Sequence, residues 1–252
     1  MGKTIAITNQ KGGVGKTTTA VNLTACLAAA GKRVLLIDLD PQGNSTSGLG
    51  SRAEGTTVYE ALMRRAPLTS CLSKSNFANL SIIPSDIRLA GAEVELVGED
   101  EREYRLKQIV KAVEDDFDFI FIDCAPSLGL LTINALVAAQ RVLIPIQCEY
   151  YALEGVTSLM NSIGRIKSAF NPGLDIEGIL LTMLDGRTNL GLQVVDSVKK
   201  HFKNKVFSTA IPRNIRLGEA PSHGVPIHVY DSKSIGAEAY TLLAKEILDR
   251  NR

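Results

Sequence analysis

Ile5-Ala-Ile-Thr-Asn-Gln-Lys-Gly-Gly-Val-Gly-Lys-Thr-Thr-Thr19 joins three kinds of sequence in one short stretch. Thr4 to Thr8 is an apolar run rich in β-branched residues and predicts a strand. Lys11 to Thr18 is glycine-rich, and a helical pattern runs from about Lys16 to Ala30. Strand, glycine-rich turn and helix in that order form a phosphate cradle. Gly12, Gly13 and Gly15 let the backbone N–H groups from Gly12 through Val14 to Thr18 converge without Cβ clashes, and the helix N-terminus adds its positive dipole end. In such a loop Lys16 reaches the β- and γ-phosphates of a nucleotide, and the Thr17 hydroxyl ligates Mg²⁺.

Reading outward, Gly31 caps the first helix, and Val34-Leu-Leu-Ile-Asp-Leu-Asp40 has the uninterrupted apolar character of a central parallel strand. Asp38 and Asp40 are two residues apart, so they share one face at the strand's C-terminal end. That end is where open α/β sheets bind ligands. Pro41-Gln-Gly-Asn44 then breaks the strand. Phe117-Asp-Phe-Ile-Phe-Ile-Asp123 is a second such strand. It ends on a carboxylate placed to support Mg²⁺ opposite Thr17. The following Cys124-Ala-Pro-Ser-Leu-Gly129 is the natural γ-phosphate-sensing switch.

Further strands are predicted at 80–84, 142–147, 178–184, 206–211 and 227–230, and helices at 57–64, 153–169, 190–202 and 235–249. Glu93 to Val113 alternates charged and apolar residues at helical spacing, with Glu99 to Glu103 as its solvated start. Strands alternating with helices predict an α/β fold with a mostly parallel, doubly wound sheet covered by helices on both faces. No repeat or linker divides residues 1–252, which are expected to form one P-loop ATPase domain.

The sequence has 252 residues, an apolar fraction of 45% and a formal net charge of +1. That balance excludes a uniformly basic DNA coat, so any nucleic-acid surface is a local patch. Cys26, Cys71, Cys124 and Cys148 are far apart, which argues against a disulfide framework and suits a reducing cytoplasm. The N-terminus enters a strand at once, so no signal peptide is expected, and no apolar run approaches spanning length. No membrane association is expected.

An ordinary P-loop has glycine five residues before Gly15. Here that residue is Gln10, and an additional lysine, Lys11, stands at the front of the loop. Lys-Gly-Gly-x-Gly-Lys-Thr-Thr, with Asp38-Leu-Asp-Pro-Gln-Gly-Asn44 and the strand ending at Asp123, resembles the deviant Walker A motifs of the ParA/MinD superfamily. The resemblance runs from Lys3 to about Ala244. The spans Leu180 to Leu190 and Ile211 to Gly224 are similar to chromosomal ParA (Soj-type) partition ATPases in particular.

This resemblance implies that Lys11 reaches the nucleotide of a partner subunit, giving a homodimer sandwiched around two ATP molecules. It also implies that Asp40 orients the attacking water, so that Lys11, Lys16 and Asp40 are the catalytic set. Thr182 and Pro212 would line the adenine pocket. Arg187 and Arg216 would contribute to sequence-independent binding of double-stranded DNA, with Arg213 and the run Lys199 to Lys205 as further basic candidates. A ParB-like centromere-binding protein would stimulate hydrolysis, and the protein would cycle on the nucleoid. The missing Cys-x-x-Cys argues against the iron–sulfur branches. The C-terminal residues Leu242, Leu243, Ile247 and Leu248 read as a core-facing stripe, against the amphipathic membrane helix of MinD. MinD-like membrane cycling and a metabolic ATP-dependent enzyme on the same fold are the alternatives.

Overall fold

A computed structural model describes residues 2–149 and 152–251, without the side chains of 152–154 and 190. Seven strands form one sheet in the order β3-β4-β2-β5-β1-β6-β7. They are β1 (Lys3–Ile7), β2 (Val34–Leu39), β3 (Ser73–Lys74), β4 (Leu80–Ile83), β5 (Phe119–Cys124), β6 (Arg141–Gln147) and β7 (Asp175–Thr182). Every pairing is parallel except the short edge pair β3–β4. All side chains of β2 and β5 are buried, because helices cover both faces and leave no solvated side to alternate towards.

The strand period of two divides the core. Ile5, Ile7, Leu36 and Phe121 point to the layer formed by the helix Lys16–Ala29 and the C-terminal helix Ile235–Arg250. Ala6, Leu35, Ile37 and Ile122 point to the opposite layer, formed by the helices Leu130–Ala138, Ala152–Ala169 and Asn189–Phe202. Register then sets the chemistry. Asp38 on β2 lies directly opposite Asp123 on β5, and Ile7, the last residue of β1, is also opposite Asp123.

Several elements differ from expectation. Residues 206–211 run beside β7 but form no strand. Ser208 and Thr209 give their N–H groups to the Glu246 carboxylate at 2.8 and 3.0 Å, and only flanking residues reach β7. Residues 227–230 form a short helix started by Pro226, whose carbonyl accepts from Val229 and Tyr230. The helix Leu130–Ala138 has no amphipathic stripe, since it is buried nearly all round, and periodicity does not reveal it. On the C-terminal helix Leu243 and Ile247 are buried as expected, but Leu242 faces solvent and Tyr240 takes a place in the core.

The expected helix over 93–113 is broken. It becomes Leu89–Glu95, two 3-10 turns and Arg105–Lys111, with Glu101 in a left-handed conformation. Fully buried Asn134 bridges the break. Its Oδ1 accepts from Leu106 N at 3.0 Å, and its Nδ2 donates to Arg102 O at 2.7 Å and Leu130 O at 3.0 Å. An apolar residue there would leave a donor and an acceptor stranded, at about 1–3 kcal/mol each. Asn134→Leu should therefore lower unfolding free energy by roughly 2–5 kcal/mol in urea titration; a loss below about 1 kcal/mol would show that the break is held by other contacts.

Candidate active site

The glycine-rich loop hangs between β1 and the helix Lys16–Ala29. Asn9 anchors its entry: Nδ2 donates to Pro145 O on β6 at 2.7 Å, and Oδ1 accepts from Lys11 N at 3.0 Å. Gly13 and Gly15 have φ of 73° and 87°, a region side chains resist. Gly15 precedes the first helical residue without any side-chain cap, so the first amide N–H groups of the helix face the loop. Thr182 donates from Oγ1 to Val14 O at 2.8 Å, tying the loop to the end of β7.

Lys16 is buried, 6% exposed, and its Nζ donates to Lys11 O at 3.2 Å across the loop. Burial lowers its pKa, while the charges of Asp123, Cys124 and Asp40 raise it. Asp38 and Asp123 are fully buried on adjacent strands, and Asp40 is 8% exposed at the end of β2. Desolvation pushes Asp38 and Asp123 well above the usual carboxylate range, and each other's proximity adds to it at Asp123. Hydrogen bonds to the ionised forms oppose the shift, from Thr46 and the Asp40 N–H on Asp38 and from the Ser45 hydroxyl on Asp123, where the nearby Thr17 hydroxyl acts in the same sense.

The Mg²⁺ expectation can be tested on these groups. Asp123 Oδ2 accepts from Ser45 Oγ at 2.7 Å, whereas its buried Oδ1 has no hydrogen-bond partner. An orphaned carboxylate oxygen near the Thr17 hydroxyl offers hard oxygen donors of the kind Mg²⁺ takes. Among the described residues no cluster of three or more His, Cys, Asp or Glu side chains is preassembled for a metal. Mg²⁺ held jointly by phosphates and one or two protein groups needs none. The residues fit the ion.

Beside the loop lies a cavity of about 210 Å³ lined by Gly15, Thr18, Thr182, Ile211, Pro212 and Tyr240, among others. Its apolar walls suit the faces of a purine ring. Thr182 and Pro212, the residues expected at the adenine, are both part of this lining. Met183, also in the lining, has φ of 52°, which turns the chain off β7 towards Leu184, whose N–H pairs with Ile211 O. Lys11 sits at the rim, its side chain 43% exposed, with Nζ at 3.2 Å from Glu149 Oε2.

The two basic candidates are exposed but not free. Arg187, 90% exposed, makes a fork with Asp185 at 2.8 and 2.9 Å and holds that carboxyl down to about 2. Arg216 pairs with Glu219 at 2.8 Å and Asp231 at 3.6 Å. Arg213 lines the cavity, and Lys205, from the basic run, pairs with Asp175. Sequence reading missed Ser45, Thr46 and Tyr240. The first two follow the Asp40 turn directly, where hydroxyl residues beside buried carboxylates are a usable signal. Tyr240, whose OH lies 3.2 Å from Thr19 Oγ1, comes from the far end of the chain and leaves no local sign.

A family model described as an AAA domain matches residues 2–176. The sporulation initiation inhibitor protein Soj of Bacillus subtilis (strain 168) is 59% identical over 249 residues, covering 98% of this chain and 98% of its own. The chromosome partitioning protein ParA of Myxococcus xanthus (strain DK1622) is 52% identical, covering 100% of this chain and 89% of its own. Among solved structures, a cobyrinic acid a,c-diamide synthase from Mycobacterium smegmatis with bound ATP analog and magnesium has a TM-score of 0.87 at 37% identity, over 98% of this chain and 95% of that one.

The raised carboxyls give stability a definite pH dependence. A carboxyl whose folded pKa lies above its unfolded value stabilises fully below the unfolded pKa, and that contribution is lost as pH rises through the folded value. Without nucleotide or Mg²⁺, Asp123→Asn should therefore gain stability relative to the unsubstituted protein between pH 5 and pH 7.5, by about 1–3 kcal/mol. Urea titrations at both pH values check this; a pH-independent gap would mean that the pair is not desolvated as described.

Proposed function

The chain belongs to the ParA/Soj family of deviant Walker A ATPases, and on that premise we propose a nucleotide-driven switch that segregates chromosomes or plasmids. It binds and hydrolyses ATP with Mg²⁺. The observation that carries the reading is the convergence of Lys16, Asp40 and Asp123 at the mouth of one loop, beside a cavity with purine-suited walls.

Backbone amides from Gly12 to Thr18 and the Lys16 ammonium hold the phosphates. Thr17 and Asp123 would hold Mg²⁺, which would supply neutralisation of phosphate charge. Thr182 and Pro212 would contact the adenine. Asp40, the least buried of the three aspartates, orients water towards the γ-phosphorus. No covalent chemistry is required of the protein; positioning and charge do the work.

Lys11 is at the rim and accessible. In a homodimer its ammonium exchanges Glu149 for the phosphates bound by the other subunit. Two subunits on one duplex then combine weak phosphate contacts through effective concentration, so ATP switches DNA binding without altering the basic surface of either subunit. Arg187 and Arg216 supply those contacts by exchanging Asp185 and Glu219 for phosphates. A ParB-like partner accelerates hydrolysis, and the cycle places the protein on the nucleoid. Among the described residues no helix is long and apolar enough to cross a membrane.

The solved diamide synthase motivates a second reading, ATP-dependent activation of a small carboxylic acid on the same fold. Co-sedimentation with DNA, in ATP and in ADP at low and moderate salt, separates the two. Retention is expected only with ATP, weakened by salt, reduced at least about 3-fold by Arg216→Ala and abolished by Lys16→Ala. Asp40→Ala should keep ATP and DNA binding while hydrolysis falls at least about 10-fold. DNA binding that ignores the nucleotide would overturn the switch, and its absence in both nucleotides would favour the small-molecule reading.

A further inference from the structure

The chain leaves β2 through Asp40, turns at Pro41 to Gly43, and comes back as the one-turn helix Asn44–Gly48. That return places two hydroxyls on the strand ends. Ser45 closes on Asp123. Thr46 closes on Asp38 twice, with its N–H at 2.8 Å and its Oγ1 at 2.7 Å from the same carboxylate oxygen, Oδ2. The other oxygen, Oδ1, accepts the N–H of Asp40 at 3.2 Å.

Thr46 Oγ1 also accepts the N–H of Ser85 at 3.0 Å. A threonine hydroxyl has a single proton, and here the partners fix its direction. The Ser85 N–H can only donate, so the hydroxyl proton goes to Asp38. The result is a chain from Ser85 through Thr46 and Asp38 to the backbone of Asp40. All four residues are at most 8% exposed. The two ends are also pressed together, since a Cβ on Gly43 would stand 2.9 Å from Ser85 O, and Gly43 has φ of 63°.

We propose that Thr46 is a positioning residue for ATP hydrolysis. Its hydroxyl holds Asp38 in the one orientation that fixes the Asp40 backbone, and it ties that backbone to the segment after β4. The segment begins at Ser85 and carries the exposed apolar side chains Ile87, Val94 and Val97, so a displacement there reaches Asp40 through one hydroxyl. The proposal rests on the reading of Asp40 as the residue that orients water. Thr46 is not part of the cavity lining, and its hydrogen bonds run to Asp38 and Ser85 rather than to the glycine-rich loop; its effect belongs on turnover, not on binding.

Thr46→Val keeps shape and removes the hydroxyl, whereas Thr46→Ser keeps the hydroxyl. Steady-state hydrolysis and equilibrium binding of a fluorescent ATP analogue are measured for both, below the melting temperature of each. Thr46→Val should lower kcat by about 5- to 50-fold with KM and analogue affinity within about 2-fold, and Thr46→Ser should restore kcat to within about 3-fold. If Thr46→Val does not fold, Thr46→Ala is read in the same way. Unchanged kcat, equal loss in the serine variant, or loss of analogue binding along with turnover each overturns the proposal. Asp40→Ala, assayed alongside, separates the two failures. If it retains turnover, the reading of Asp40 is wrong; if it is inactive while Thr46→Val is normal, the relay is.

Discussion

Two carboxyl groups stand side by side inside the sheet, and much of the surrounding structure answers to them. Asp38 and Asp123 are opposite each other on neighbouring strands and fully buried. Removing such groups from water disfavours their charged forms, and proximity makes simultaneous ionisation harder still. The fold offsets this with short, neutral hydrogen bonds from Ser45 and Thr46 and with the ammonium of Lys16 nearby. The irregular return of the chain after β2 answers that need. The helix Asn44–Gly48 is one turn long and has no side-chain cap, so its value lies in where its hydroxyls are delivered.

The outer charges follow the opposite rule. Lys11 with Glu149, Arg187 with Asp185 and Arg216 with Glu219 are pairs at the surface, where water screens each partner. Such pairs contribute little and are readily exchanged for another anion. A buried, fully hydrogen-bonded Asp38 at the centre and loosely paired cations at the rim give one molecule two behaviours. The buried carboxylates are held in fixed hydrogen bonds, while the surface cations stay free to change partner.

Legibility from sequence tracks how local each determinant is. Lys11 to Thr18, Asp38, Asp40 and Asp123 lie in contiguous motifs, and the structure brings the corresponding strands to the same end of the sheet. The doubly buried strands β2 and β5 were readable because a short, continuous apolar run between turn signals suits a strand covered on both faces. Where pattern and tertiary demand diverged, reading failed. The fully buried helix Leu130–Ala138 has no polar face to set its period. The 206–211 segment has strand-like composition, but Glu246, from a distant helix, captures two of its N–H groups. The helix expected over 93–113 is interrupted, and Asn134 satisfies its exposed ends from the outside. Each of these residues acts over a sequence distance that no periodicity spans.

The choice of hydroxyls at 45 and 46 is itself informative. A lysine or arginine there would relieve the carboxyls more strongly, but it would also neutralise their charge and compete with Lys16 for it. An apolar residue would pack without strain yet leave Asp38 or Asp123 with stranded lone pairs in a dry interior. A hydroxyl satisfies the oxygen it touches and leaves the net charge where it was. It can also accept a second bond on its far side, as Thr46 does from Ser85. Neutral, directional and bivalent, it joins a loop near the surface to a buried carboxylate without changing the electrostatic balance on which nucleotide binding depends.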